Sequence, residues 1–296
     1  MSDSKKIISV NNKAELRTLI AYTMESEGSN CDLNFIDVSQ ITDMSYLFSD
    51  ILFNGDISDW STSCVENMAY MFHRSHFEGD ISRWNVANVK KMTFMFSESN
   101  FSHNISAWNV ANVDDMYAMF CRTAFDGDLS AWNVGRVRTM GHMFSFSIYN
   151  KSLKSWDVSN VIEMGYMFYN AKFNGNIAAW NVSEVLDMSY MFYGGFFNHD
   201  IQYWNIQSTT SIEGFFDYQR WNDFEKPTAY HWLLASTHSD ILEQYPQDWK
   251  EHFNTHISIA QGVTSSPHEA AMLLYTIWKT TDKSEKLDFE FCMDDI

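Results

Sequence analysis

The sequence lacks several features that would assign it to familiar classes of protein. It has no apolar run of about 18 residues, the length that a membrane-spanning helix needs. Its first residues, Met1 to Lys6, are polar and lack the apolar stretch of a secretory signal peptide. Enzyme motifs such as G-x-S-x-G, a phosphate-binding glycine loop or H-E-x-x-H are also missing. These absences predict a cytoplasmic, non-catalytic protein that needs no cofactor and binds no membrane.

Cysteine is scarce as well. The four cysteines, Cys31, Cys64, Cys121 and Cys292, are spaced too irregularly to form a ladder of bridges. Secreted proteins that rely on disulfides use regular, paired cysteines, whereas thiols stay reduced in the cytosol. We therefore expect free thiols in a reducing compartment.

Basic residues are few compared with acidic ones. The chain has 20 lysines and arginines against 38 aspartates and glutamates, a net charge of -18. Nucleic acids and anionic membranes need basic contacts, so this charge argues against both as direct partners. It favours a protein partner with a basic surface, and an inhibitor whose carboxylates mimic DNA is one version of that hypothesis. Acidity that only keeps a 45% apolar chain soluble is the alternative.

Tryptophan, by contrast, recurs every 24 residues through most of the chain. The seven positions are Trp60, Trp84, Trp108, Trp132, Trp156, Trp180 and Trp204. Isoleucine or leucine three residues earlier, valine two and five residues later, and a following Met-x-x-Met-Phe block keep the same register. A fixed period of this length indicates one small unit stacked on copies of itself. We expect eight units over residues 29–216, the first of them degenerate.

The spacing within a unit predicts its local structure. Trp-x-Val suits a short strand whose alternate side chains face one way. Met-x-x-Met-Phe suits a short helical turn, because residues three and four apart share a face. The predicted fold is therefore an α/β repeat solenoid, leucine-rich-repeat-like, with one short parallel strand and one short helical turn per coil.

Both ends of the array should be covered. Residues 1–28 predict an N-terminal cap, a strand followed by a helix that Asn12 and Glu15 begin with a capping box. Residues 217–296 lose the period and predict a helical C-terminal domain with an acidic tail. Its tryptophans and leucines would suit a homodimer interface or the domain's own core.

The I-x-x-W-x-V-x-x-V unit followed by M-x-x-M-F resembles the BspA-type leucine-rich repeats of bacterial surface proteins. The resemblance covers about two thirds of the chain and includes variants such as Ile57-x-x-Trp60-x-Thr62-x-x-Val65. It implies a right-handed solenoid used for binding, often by secreted adhesins and lipoproteins that contact host proteins. A host-binding adhesin fragment is thus the alternative to an intracellular protein that scaffolds or occludes its partner.

Two rows of side chains are candidate binding surfaces. The first row follows each tryptophan and comprises Asn85, Asn109, Asn133, Asp157, Asn181 and Asn205, with Arg83 and Tyr203 on its variable flank. Such a row either meets a ligand or bonds to the backbone of its own turns. The second row lies between the methionines and comprises Tyr46, Tyr70, Phe94, Tyr166 and Tyr190. It is a protein interface if it points outward, and core periphery if it packs against neighbouring coils.

One histidine pair keeps an enzyme hypothesis open. His252 and His256 would share a helix face in the C-terminal domain and could bind zinc with a third ligand. Two histidines at this spacing also arise by chance. We expect no metal site, and a zinc-dependent enzyme remains the alternative.

Overall fold

The structure is a computed structural model that describes residues 6–199, 201, 204–207 and 210–215. The predicted C-terminal domain, residues 217–296, lies outside the described residues together with its acidic tail and its proposed dimer interface. Tyr203 of the first candidate row also lies outside them.

The 24-residue units are stacked in parallel, each joined to the next by backbone hydrogen bonds. In one typical unit, the N–H groups of Met92, Phe94, Phe96 and Glu98 donate to carbonyls of the following unit at 2.8–3.0 Å. The same set recurs from Met44 onwards, and isolated parallel bridges connect equivalent residues along the stack. The chain is therefore a repeat protein in which every coil contacts its sequence neighbours.

The regular elements lie at the N-terminal end of the stack. They are β1 (Ile8–Ser9), α1 (Lys13–Glu27) and β2 (Ile36–Asp37). β1 pairs with β2 in parallel, so that Ile8 lies opposite Ile36. Because β2 belongs to the first coil, this pairing extends the stack by one strand and covers its open end.

The helix begins with the predicted capping box. The Asn12 side chain accepts a hydrogen bond from the Glu15 N–H at 2.9 Å, and the Glu15 carboxylate accepts one from the Asn11 N–H at 2.9 Å. Leu16 and Ile20 then pack into the core at 0% and 3% exposure. The predicted strand and helix of the cap are confirmed.

The predicted secondary structure inside the coils is wrong. The Met-x-x-Met-Phe block forms successive turns in which Met95 N–H donates to Met92 and Ser97 N–H to Phe94, at 3.1 and 3.2 Å. A helix uses its N–H groups within its own segment, but here alternate N–H groups point to the next coil. The Trp-x-Val segment is likewise built of turns, such as Val89 N–H to the Val86 carbonyl at 3.0 Å. Spacing by three correctly places the methionines on the inner face without making a helix.

Two residues in most coils adopt the left-handed backbone region. Among the residues that the structure describes, thirteen with this conformation are not glycine; in the first coil they are Tyr46 and Asp50, with φ of 57° and 56°. This conformation costs an L-residue about 1–2 kcal/mol. It is retained because it directs the neighbouring N–H groups along the stack, where they bond to the next coil.

Replacing Asp50 tests this strain. Asp50→Gly and Asp50→Ala both remove an exposed carboxylate, but only glycine accepts a φ of 56° freely. We expect the glycine variant to be more stable by about 0.5–1 kcal/mol, since the relief is partly offset by the larger entropy of glycine in the unfolded chain. Urea denaturation of the two variants measures the difference. Equal stabilities would show that this position is not strained.

Tryptophan holds the core together with its indole N–H as well as its ring. All seven donate Nε1–H to the carbonyl 27 residues earlier at 2.9–3.2 Å, as Trp132 does to Ile105. The rings are 1–4% exposed, and neighbouring indoles stack in both halves of the array, as Trp60 does on Trp84 and Trp180 on Trp204 with centroids 6.3 and 6.1 Å apart. The inward methionines and phenylalanines are also buried. Each tryptophan thus adds a second hydrogen bond to a carbonyl of the neighbouring coil, which also accepts a backbone N–H of its own turn.

Trp132→Phe should separate the hydrogen bond from the apolar ring. The variant keeps an aromatic side chain but removes the indole donor from the Ile105 carbonyl, which retains the Trp108 N–H at 3.1 Å. The loss of one buried hydrogen bond costs about 0.5–1.5 kcal/mol, and the smaller ring adds a cavity. We expect a loss of stability of at least that size, measured by urea denaturation.

Tyr149→Phe provides the control in the opposite direction. The Tyr149 hydroxyl is fully buried, and the Leu129 backbone beside it does not reach hydrogen-bonding geometry. Burial raises the pKa of this hydroxyl. Removing a buried hydroxyl without a partner should leave stability unchanged or raise it. A loss as large as that of Trp132→Phe would mean that the coils respond to any change of ring.

Candidate protein-binding surface

One row of rings runs along the outside of the stack without interruption. We call it the aromatic ladder; its members are Tyr46, Tyr70, Phe94, Tyr117, His142, Tyr166 and Tyr190. Ring centroids of consecutive members lie 4.5–5.5 Å apart. Tyr46 is 47% exposed, and the others are half-buried. Stacking covers the ring faces that look along the stack, while the outer edges stay accessible, so both predicted alternatives describe part of the arrangement.

The left-handed residues create this ladder. Six of its seven members have φ of 54–59°, and each lies between two inward apolar residues, which are both methionines except at Tyr46, where Leu47 is the second. Reversal of the backbone at that position turns the side chain away from the core. Strain and exposure therefore come from the same local conformation.

Tyr117 was missed by the sequence analysis. The ladder position in its coil holds Ala118, which is buried, and the ring of the preceding residue fills the gap. The Tyr117 centroid lies 5.4 Å from Phe94 and 5.5 Å from His142, with tilted rings. An aromatic residue directly beside the one small residue of an aromatic column was the available signal.

The side chains of the asparagine row, in contrast, accept hydrogen bonds from the backbone of their own turns. Oδ1 of Asn85 accepts the N–H of Ala87 at 3.1 Å, and the same bond to the residue two positions on recurs at four further members, which are Asn109, Asn133, Asp157 and Asn181. Asn205, the last member, is exposed. Arg83 on the flank pairs with Asp59 at 3.2 Å in an exposed ion pair. These side chains hold turns in place, which favours the structural alternative for the row.

Aspartates elsewhere cap turns in the same way. Asp80, four residues before a tryptophan, accepts the Ser82 N–H at 2.9 Å, and Asp128 accepts that of Ser130 at 2.9 Å. These backbone hydrogen bonds hold the pKa of both carboxyls below the ordinary value. Some of the chain's carboxylates therefore stabilise its own turns.

Three carboxylates follow one side of the aromatic ladder in its central coils. Asp115 accepts hydrogen bonds from the Tyr117 N–H and the Thr139 hydroxyl, and Asp187 accepts the Ser189 N–H. Glu163 lies between them and is half-buried. Burial, followed by the charges of Asp187 and Asp115, raises the pKa of Glu163.

Glu163 occupies a recess made by glycine. A side chain on Gly141 would overlap the Glu163 carboxylate and approach the Tyr117 ring to 2.9 Å. Gly165 in the next coil opens the same column beside Asp187. Among the residues that the structure describes, none donates a hydrogen bond to the Glu163 carboxylate or forms an ion pair with it.

The opposite side of the ladder carries charges that pair with one another. Arg74 contacts Asp50 at 4.0 Å and Glu98 at 3.2 Å, and the Arg122 guanidinium lies 4.0 Å from the centre of the Phe146 ring. These partners are spaced by single coils. The surface therefore accepts guanidinium groups both on carboxylates and on rings.

A polar groove elsewhere on the stack has a volume of about 470 Å³. Its side chains bind one another, as Lys90 does Glu66 at 2.7 Å and Arg136 does Asn112 at 2.6 Å. Such internal pairing leaves few groups free for a ligand, so the ladder is the stronger candidate.

Over residues 6–199 and the short described stretches that follow, no three histidine, cysteine or acidic side chains are grouped to hold a metal ion. His252 and His256 lie outside that part of the chain. None of the described helices is long and apolar enough to cross a bilayer. Cys64 and Cys121 are free thiols.

Stacked coils with a periodic aromatic face define a repeat protein. The family model described as "Mycoplasma protein of unknown function, DUF285" matches three overlapping segments, residues 18–124, 94–172 and 121–232. The chain belongs to this family. No curated protein and no solved structure matches the chain.

Replacing Glu163 with glutamine should stabilise the protein at neutral pH. The folded state raises the pKa of Glu163, so stability is lost as pH rises through that pKa, and glutamine removes the loss. The gain should disappear below pH 4.5, the ordinary value, where the carboxyl is neutral in both states. Urea denaturation at both pH values tests this. If Glu163→Gln were less stable than the parent at pH 7, the Glu163 carboxylate would have a stabilising partner in the folded protein, contrary to this prediction.

Proposed function

We propose that this chain is a non-catalytic module that binds a protein partner through the aromatic ladder. The observation that carries the proposal is the unbroken row of half-exposed rings from Tyr46 to Tyr190. Aromatic residues are enriched in protein interfaces because they combine a large apolar area with few rotamers to immobilise. A row of this length offers a continuous contact for an extended or flat partner.

The finer architecture that we propose is a continuous solenoid of the leucine-rich type, similar to the BspA repeats. Parallel bridges between equivalent residues and the recurring axial hydrogen bonds support it. In such a stack each coil depends on its neighbours, and an extended surface becomes the natural binding site.

The partner that we propose has a basic surface and acts with this chain inside the cell. A net charge of -18 attracts proteins with basic surfaces and repels nucleic acid. Cys64 and Cys121 are free thiols among the described residues, which suits a reducing compartment. Scaffolding and occlusion of the partner, including DNA-mimic inhibition, both fit a long acidic exterior.

Paired ladder substitutions test the proposal. Tyr70→Asn with Tyr166→Asn removes two rings, while asparagine tolerates the φ of 59° found at both positions. Immobilised full-length protein should capture a defined partner from a lysate of its own source, and the double variant should retain less than about a tenth of it. Quantitative mass spectrometry measures the retained amount.

Tyr22→Asn is the matched control. Tyr22 is 69% exposed on α1, away from the ladder, so its loss should leave capture unchanged. If the ladder variant captured the partner as well as the parent, or if Tyr22→Asn lost it equally, binding would not involve the ladder.

A further inference from the structure

We propose that the aromatic ladder receives an arginine-bearing segment of another protein, with one guanidinium bound between Glu163 and the Tyr117 ring. This inference rests on the proposed protein-binding function and specifies the chemistry of the partner. The site lies in the central coils, where Gly141 and Gly165 open the surface beside the rings.

Glu163 is the first reason. Its carboxylate is half-buried, lies over Gly141, and has no donor or cation among the residues that the structure covers. Burying a charge without a partner is costly, and Asp115 and Asp187 add repulsion. A guanidinium supplies both the missing charge and parallel N–H donors that match a carboxylate.

The surrounding rings are the second reason. Tyr117 reaches the same recess as the Glu163 carboxylate, and His142 and Tyr166 continue the ladder beside it with centroids 4.6 Å apart. Tyr117 is tilted by 49° and 55° from its two neighbours, so its face is not stacked on theirs. Aromatic faces attract guanidinium more readily than ammonium. The chain shows this pairing itself, because Arg122 lies 4.0 Å above the Phe146 ring.

Spacing indicates a second arginine. Asp115 and Glu163 are two coils apart, which is about 9.6 Å at about 4.8 Å per coil. A polyproline II segment repeats its face every three residues, about 9.3 Å. Asp115 uses Oδ1 for its turn and for Thr139, and no described residue donates to its Oδ2. The geometry therefore fits an Arg-x-x-Arg segment, with one guanidinium at each carboxylate.

A fluorescent peptide with the repeat arginine-proline-proline is the probe. Fluorescence anisotropy with the full chain should show binding that weakens at least about tenfold in Glu163→Gln, the effect of losing a charge-assisted hydrogen-bonded pair. The same peptide with lysine in place of arginine should bind more weakly, and one with glutamate should not bind.

Glu184→Gln is the matched control, since it removes the same charge from an exposed position on the adjoining coil. It should change peptide affinity by less than about twofold. Unchanged binding in Glu163→Gln, or equal losses in both variants, would overturn the inference. Urea denaturation of Glu163→Gln at pH 7, which should show a stability at least equal to the parent's, establishes that this variant is folded. If the peptide does not bind but partner capture still depends on the aromatic ladder, the arginine inference is wrong and the proposed function is unaffected.

Discussion

Axial hydrogen bonding between coils is the constraint on which this structure depends. Alternate N–H groups of each Met-x-x-Met-Phe block, such as those of Met92 and Phe94, donate to the coil that follows. Because buried backbone groups must be paired, every coil needs its neighbours, and a single unit could not persist alone. The left-handed residues are the means by which a turn directs these groups along the stack. Their strain is offset by axial bonds and by the rings that they bring into contact.

The same constraint produces the candidate binding surface. A backbone that reverses at Tyr70 or Tyr166 buries the flanking methionines and turns the ring outward. Rings at equivalent positions then meet at the coil spacing and stack. The ladder is thus a consequence of how the coils hydrogen-bond, which explains why it continues through coils whose other surface residues differ.

The departures from the repeat that shape the surface lie in the central coils. In one coil the ladder position holds Ala118, and Tyr117 supplies the ring instead. Gly141 and Gly165 have no side chain at a position where other coils have one. These departures from the repeat admit Glu163 to a site where no described residue neutralises its charge. A carboxylate that lowers stability at neutral pH is easier to understand as a contact for a partner than as part of the scaffold.

The sequence by itself determined the period, the inward columns and the capped helix at Asn12, because apolar spacing and capping residues act locally. It also pointed to the aromatic row, although not to Tyr117. Only the tertiary structure decided that the coils are made of turns, that asparagines such as Asn85 cap them, and that each indole bonds to a neighbouring carbonyl. The physical reason is that apolar spacing reports which side chains are buried. The partners of the N–H groups lie about one full repeat away along the chain, where no local pattern records them.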